Sequence, residues 1–172
     1  SGTWSVLVSD NFNVSSLAEG VVTITADHDD SFGNSAIQAS TNVDKDTIIP
    51  TVTISTPVAI HSGNHTTYSV SGTCSENGRE VTLFFQDDNS ATLAPTPQPT
   101  CSSGAWSVSN FNVSTLIDGT ITIDADHDDA FGNQAVQAQA NTIKDTAAPS
   151  GPVVLTGPDD PENDGNAPLI GS

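Results

Sequence analysis

The chain is poor in cations. Three Lys or Arg side chains stand against twenty-one Asp or Glu, a formal charge of −18, and methionine is absent. With no basic patch and no face on which aromatic and basic residues interleave, nucleic acid is excluded as a partner. No apolar run approaches the roughly 18 residues that cross a bilayer, and no signal peptide is visible. The segment is therefore not expected to insert into a membrane, and any export signal lies outside it. Also missing are Gly-x-Ser-x-Gly, His-Glu-x-x-His and a phosphate-binding loop. A glycosidase needs two carboxylates facing each other across a cleft, whereas the acids here crowd onto short loops. No catalytic function is expected. No segment sustains a helical period, which leaves strands.

What is present is an internal repeat. Residues 11–47 match residues 110–146 at a constant offset of 99, with 24 of 37 positions identical, Asp-His-Asp-Asp-x-Phe-Gly-Asn among them. A period of that length is domain-sized and marks a tandem array. Gly2-x-Trp4-Ser5-Val6 answers Gly104-x-Trp106-Ser107-Val108 three residues out of step, a loop-sized insertion around Leu7–Asp10. Lys45-Asp46-Thr47-x-x-Pro50 answers Lys144-Asp145-Thr146-x-x-Pro149, so each Pro opens a unit. Residues 50–148 are then one complete repeat, 1–49 the C-terminal part of another, and 149–172 the start of a third.

Val22, Ile24 and Ala26 alternate with threonines, Ile121, Ile123 and Ala125 repeat the pattern, and Val81, Leu83 and Phe85 form a third alternating run. Gly, Pro, Asn, Asp and Ser punctuate the chain at short intervals. About seven short strands per 100 residues predict an all-β chain of tandem immunoglobulin-like β-sandwiches, one complete and flanked by two partial. For the complete unit the pattern places strand A near 51–56, B near 67–74, C near 80–86, D near 91–100, E near 105–113, F near 120–126 and G near 134–143. Trp4 and Trp106, at period two with Val6 and Val108, read as core residues.

Taken in order, Gly-x-Trp-Ser-Val, Leu-x-Asp/Glu-Gly, an alternating strand ending in Asp, Phe-Gly-Asn and Lys-Asp-Thr-x-x-Pro resemble the bacterial Ig-like repeats of giant calcium-binding surface adhesins. The resemblance covers essentially the whole chain. It implies an extracellular, cell-surface stalk serving cell adhesion and biofilm, with repeats stiffened by calcium at their junctions. The cysteine pair departs from that pattern. Cys74 ends strand B and Cys101 precedes E, and with B and D flanking E both fall at one pole of the sandwich. A disulfide between them is feasible, worth roughly 3 kcal/mol on the chain-entropy estimate, and implies an oxidising compartment. Two unpaired buried thiols are the alternative; two cysteines alone make half a zinc ligand set.

The acidic loops carry whatever chemistry exists. Asp27, Asp29, Asp30 and Asn34, and in the second copy Asp126, Asp128, Asp129 and Asn133, place three carboxylates and an amide oxygen within eight residues. Hard oxygen ligands packed this closely suit Ca²⁺. The loop is no EF-hand, since Gly33 falls at the seventh position and Gln38 at the twelfth. The same residues also favour turn geometry alone. Strand G holds Asp145 on the order of 30 Å from Asp126–Asp129 at about 3.3 Å per residue, so the two ends of one unit cannot share an ion. The F–G loop lies at the pole where strand A begins. Asp44 and Asp46 are therefore expected to meet Asp126, Asp128 and Asp129 near Pro50, with Glu76 a further ligand. Asp27, Asp29 and Asp30 would face a linker before residue 1, and Asp145 a loop beyond residue 172.

His28 and His127, inside these loops, are read as exposed and non-ligating because calcium prefers oxygen. His61 and His65 fall in the A–B loop. Asn13-Val-Ser15, Asn64-His-Thr66 and Asn112-Val-Ser114 match the N-glycosylation pattern, and the first and last recur with the repeat. Two functions remain open. The first is a mechanical spacer whose partners are the neighbouring repeats of the same chain. The second is a fibre-forming module in which other copies of the chain donate strands, prompted by a strand A around Val153–Thr156, a strand B around Leu169, and E to G within 1–49.

Overall fold

The computed structural model describes residues 13–151 together with Thr3 and Ser5. The expectations for Trp4, the insertion at Leu7–Asp10 and the strands at Val153–Thr156 and Leu169 lie outside the described residues. Nine strands follow in order: β1 (Gly20–Ala26), β2 (Ala39–Lys45), β3 (Ile60–His61), β4 (Tyr68–Thr73), β5 (Val81–Asp87), β6 (Thr92–Leu93), β7 (Ala105–Phe111), β8 (Gly119–His127) and β9 (Ala138–Asp145). The described residues contain no helix.

The alternating residues do what their period requires. On β5 and β8, Val81, Leu83, Phe85, Ile121, Ile123 and Ala125 are buried to completion while their neighbours point outward. One sheet has the order β3-β9-β8-β5-β6, and β4-β7 lies in the other. Tyr68, Val70 and Trp106 from β4 and β7 complete the core between them. Phe85 sits at its centre, with Tyr68 edge-on at 6.3 Å and Phe111 tilted at 5.1 Å. Gly72 is obligatory, because a Cβ there would drive into the Thr53 carbonyl and the Trp106 ring.

Strand A divides between the sheets. Thr53 and Ser55 donate to the carbonyls of Thr73 and Ser71 beside β4, at 2.9 Å each, and the chain then crosses to pair as β3, parallel to the end of β9. Strand D differs from expectation. Thr92 and Leu93 pair with β5, and Thr100 bridges Glu80 just before it, so the segment lies on the β5 side and no D strand flanks E. Pro95, Pro97 and Pro99 lack the N–H groups a ladder needs. The Gln98 carboxamide replaces them, accepting from the Leu83 N–H at 2.9 Å and donating to its carbonyl at 3.1 Å.

In the first copy β1 and β2 form a seven-pair antiparallel hairpin, Gly20 opposite Lys45 through Ala26 opposite Ala39. None of its residues is buried.

Candidate functional site

At the end of β8 the chain turns through an Asp-Asn clamp. Asp129 accepts from the backbone of Phe131 (2.8 Å) and Asn133 (2.9 Å) on one oxygen, and from the Asn133 amide (2.6 Å) on the other. Gly132, at φ 89°, supplies the left-handed step that closes the turn. Burial, the largest influence, pushes the Asp129 carboxyl up, but the bonds from Asn133, Phe131 and Gly132 outweigh it and hold the group below the usual range. Asp30 and Asn34 form the same clamp in the first copy, with the Asn34 side chain the main cause of a lowered carboxyl. Asp126 receives both bonds of the Gln137 amide, and Asp27 those of Gln38. Much of the acidic motif is thus spoken for by the hairpin's own donors.

Asn133 also reaches across the junction. Its amide donates to the backbone carbonyl of Asp46 at 3.1 Å, bringing the F–G loop onto the linker. Asp46 turns its own carboxylate back to the Ile48 N–H (3.0 Å), Pro50 is buried, and Thr51 and Ser75 exchange two bonds at the head of strand A. Glu76 and Asp128 are half-buried at the same pole, whereas Asp44 is exposed on β2. Asp29 is exposed beside Ser35 in the first copy, and Asp145 caps the Ala147 N–H at the opposite pole.

The donor chemistry fits a hard cation, but the side chains do not converge. Among the described residues no three His, Cys, Asp or Glu gather as a metal-binding group. Oδ1 of each clamp carboxylate accepts two bonds, but Oδ2 of Asp129 and of Asp30 accepts one and retains a lone pair, so each clamp leaves one oxygen open to coordination.

His127 is a correction. It is 2% exposed, with Nδ1 2.8 Å from the Glu80 carbonyl and Nε2 accepting from the Glu76 N–H at 3.2 Å. The ring pins the B–C loop to β8, which fixes the tautomer with the proton on Nδ1. Its flanking aspartates pointed to solvent, but its place in phase with Ile121, Ile123 and Ala125 was the better signal. His28 is exposed, as expected.

Cys74 and Cys101 form a disulfide, Cα atoms 5.9 Å apart, at this same pole. It joins the end of β4 to residues 99–101, which run beside the start of β5 through Val81 to Pro99 and Cys101 to Arg79 hydrogen bonds. The three glycosylation-type asparagines are occupied locally, Asn13 and Asn112 accepting from Ser15 and Ser114, and Asn64 from His61.

The opposite pole holds a lock the motif spacing left unread. Lys144, 4% exposed, donates to the Leu116 carbonyl at 2.7 Å and to Asp118 at 3.0 Å. Asp118 also accepts from the backbone and hydroxyl of Thr146, and the Thr146 N–H leads the bonds that lower its carboxyl. Lys45, Glu19 and Thr47 repeat the arrangement. Asp87 accepts from Ile117, Ala91 and Asn89, its carboxyl held low chiefly by the Ile117 N–H. Two of the chain's three cations recurring at the repeat period was the available signal.

Residues 7–74 match the family model of the bacterial Ig-like domain (group 3), a window that crosses the Asp46–Pro50 junction. No protein of curated function matches. Among solved structures, a tetra-tandem repeat in the extending region of a large adhesion protein is similar, with TM-score 0.55 and 26% identity over 79% of this chain. The chain spans 34% of that structure's length. Weaker similarities join it to a 1.5-MDa bacterial ice-binding adhesin (TM-score 0.38, 22% identity, 74% of this chain and 43% of that one) and to Sidekick-1 immunoglobulin domains 1–5 (0.34, 15%, 75% and 26%). The chain is all-β with an immunoglobulin-like fold and resembles the bacterial Ig-like repeats of large adhesion proteins.

Proposed function

We propose that the chain is a non-catalytic, extracellular stalk segment of a bacterial surface adhesin. Its units are 1–49, 50–148 and 149–172, its partners are the repeats before and after it, and calcium stiffens the junctions. The carrying observation is the Asn133–Asp46 hydrogen bond, which ties one hairpin's loop to the linker that leaves the other. The similarity to an extending-region repeat supports the same reading. A chain of net charge −18 gains from a bound cation where its acids crowd. Asp46, Glu76, Asp126, Asp128, Asp129 and Asn133 would hold the ion, which would supply charge neutralisation between linker and loop.

Calcium titration by calorimetry after chelation tests the ion, and small-angle scattering tests the rod. Saturable binding, lost alike in Asp46→Ala and Asp128→Ala, with an extended profile that calcium sharpens, is the expected result. Absence of heat at millimolar Ca²⁺ would sink the calcium component. A profile that compacts or varies with concentration would sink the stalk.

One observation favours the second reading, a fibre built by strand donation: Val21, Ile24 and Val43 of the β1–β2 hairpin are exposed. Sedimentation velocity separates the two, because donation gives concentration-dependent polymers and a spacer stays monomeric.

A further inference from the structure

The three Asn-x-Ser/Thr triplets take no part in the acidic loops, and the fold sorts them into two kinds. At Asn112-Val113-Ser114 the Asn112 Oδ1 accepts from the Ser114 N–H at 3.0 Å, and at Asn13-Val14-Ser15 the same bond is 2.8 Å. Both asparagines and both serines are exposed. The turn engages only Oδ1, so the Nδ2 hydrogens and the serine hydroxyls have no partner among the described residues. In the second copy Val113 is fully buried and donates its N–H to the His65 carbonyl at 2.8 Å, which turns Asn112 and Ser114 toward solvent. Asn64 is the contrast. It is half-buried, its Nδ2 donates to the Ala59 carbonyl at 2.9 Å, and its Oδ1 accepts from the His61 N–H at 2.7 Å. Both ends of that amide are used to close a turn.

Charge does not stand in the way at the two exposed sites. In a chain of net charge −18, residues 89–117 carry no Asp, Glu, Lys, Arg or His, and neither do residues 11–18. An anionic co-substrate meets no like charge along these stretches. We propose that Asn112 and Asn13 are N-glycosylation sites and that Asn64 is not, the co-substrate being a sugar activated at its anomeric carbon by a diphosphate. In the transfer Asn Nδ2 bonds to the anomeric carbon, and the bond from that carbon to the diphosphate oxygen breaks with its electron pair leaving on the diphosphate. The amide proton passes to a base of the transferase. The unpartnered serine hydroxyl two residues on is the feature that tells these asparagines from any other exposed one. The offset of 99 places one acceptor in each copy, and in the complete unit it stands at the pole of the Lys144–Leu116 bond, away from the F–G loop. A bulky hydrophilic group there hydrates the exit end of the unit and leaves the acidic loop uncovered. The site goes beyond the stalk reading and does not depend on calcium.

Mass spectrometry of the full chain isolated from the cells that make it tests this, with electron-transfer fragmentation to assign added mass to a residue. Peptides containing Asn112 and Asn13 are expected to carry the mass of one or more sugar residues, and the Asn64 peptide none. Ser114→Ala removes the hydroxyl but keeps the N–H that closes the turn. It should abolish the modification at Asn112, leave Asn13 modified and leave thermal melting unchanged, while Ser114→Thr should retain the modification. Chain made in a host without such transferases separates the two sources of donor. Sugars added singly by a soluble extract of the native cells supplied with a uridine-diphosphate sugar mark a nucleotide donor, and a preassembled block added by their membranes marks a lipid-linked one. Either asparagine found unmodified in the isolated chain would overturn its assignment. Asn64 modified as fully as the others, or modification of Asn112 that survives Ser114→Ala, would overturn the structural sorting. Such a failure leaves the calcium titration and the scattering profile as they stand, so it is distinguishable from failure of the stalk reading.

Discussion

The β1–β2 and β8–β9 hairpins are nearly the same sequence in two surroundings. Both build the Asp-Asn clamp, the Asp-Gln bridge and the lysine lock at the same places. All three devices lie inside the hairpin and the turn before it, within 28 residues, so they need nothing else. Burial is the opposite. Ile123 is fully buried where its counterpart Ile24 is 37% exposed, and His127 is buried where His28 is not. The covering comes from β3, β4, β5 and β7, which pack only on the second copy. Local geometry in this repeat is therefore a property of the hairpin, and stability a property of the unit.

The sharpest way to break that comparison is a matched core deletion. Ile123→Ala should cost about 2–5 kcal/mol in urea unfolding, and Ile24→Ala under about 1 kcal/mol. Equal losses would mean that the first hairpin buries its face after all. Removing the disulfide by Cys74→Ala with Cys101→Ala should cost roughly 3 kcal/mol and act on the second hairpin alone, read by hydrogen exchange of β8 against β1. Histidine gives a smaller contrast: His127→Ala leaves the Glu80 carbonyl and the Glu76 N–H unpartnered at about 1–3 kcal/mol, while His28→Ala should stay within about 0.5 kcal/mol.

Acid titration should show the least difference between the copies. Glu19 is lowered from 4.5 to about 2, first by its hydrogen bond from Lys45, and Asp30, Asp118 and Asp129 are lowered as well. Carboxyls depressed in the folded state contribute stability above their unfolded values and lose it as pH falls through the folded ones. Stability should be flat above about pH 5 and decline from about pH 4.5 toward 2. Carboxyl NMR shifts that titrate at ordinary values in one copy alone would show that its local devices do not form.

The particular failures of sequence reasoning follow the same division. The alternation of β4, β5, β7 and β8 was legible to within about two residues, because burial on one face imposes period two. Strand D was misread although its prolines were in view, since a gap in the ladder is filled by a Gln98 amide that no local pattern announces. The acidic motif was legible as a cluster, but its internal hydrogen bonds were not. Asp118 was passed over because a carboxylate next to Gly119 reads as a turn until Lys144 is folded onto it.

Sequence by itself determined the repeat, its period and the alternating strands β4, β5, β7 and β8, since each depends on a residue pattern carried within one segment of the chain. Only the tertiary structure decided that the expected strand D gives way to a segment held to β5 by the Gln98 amide. It also decided that His127 lies inside, and that the first segment of the unit lies parallel to the last strand. Those outcomes depend on contacts between residues far apart in the chain, where burial is a property of what arrives from elsewhere and not of the residue that is covered.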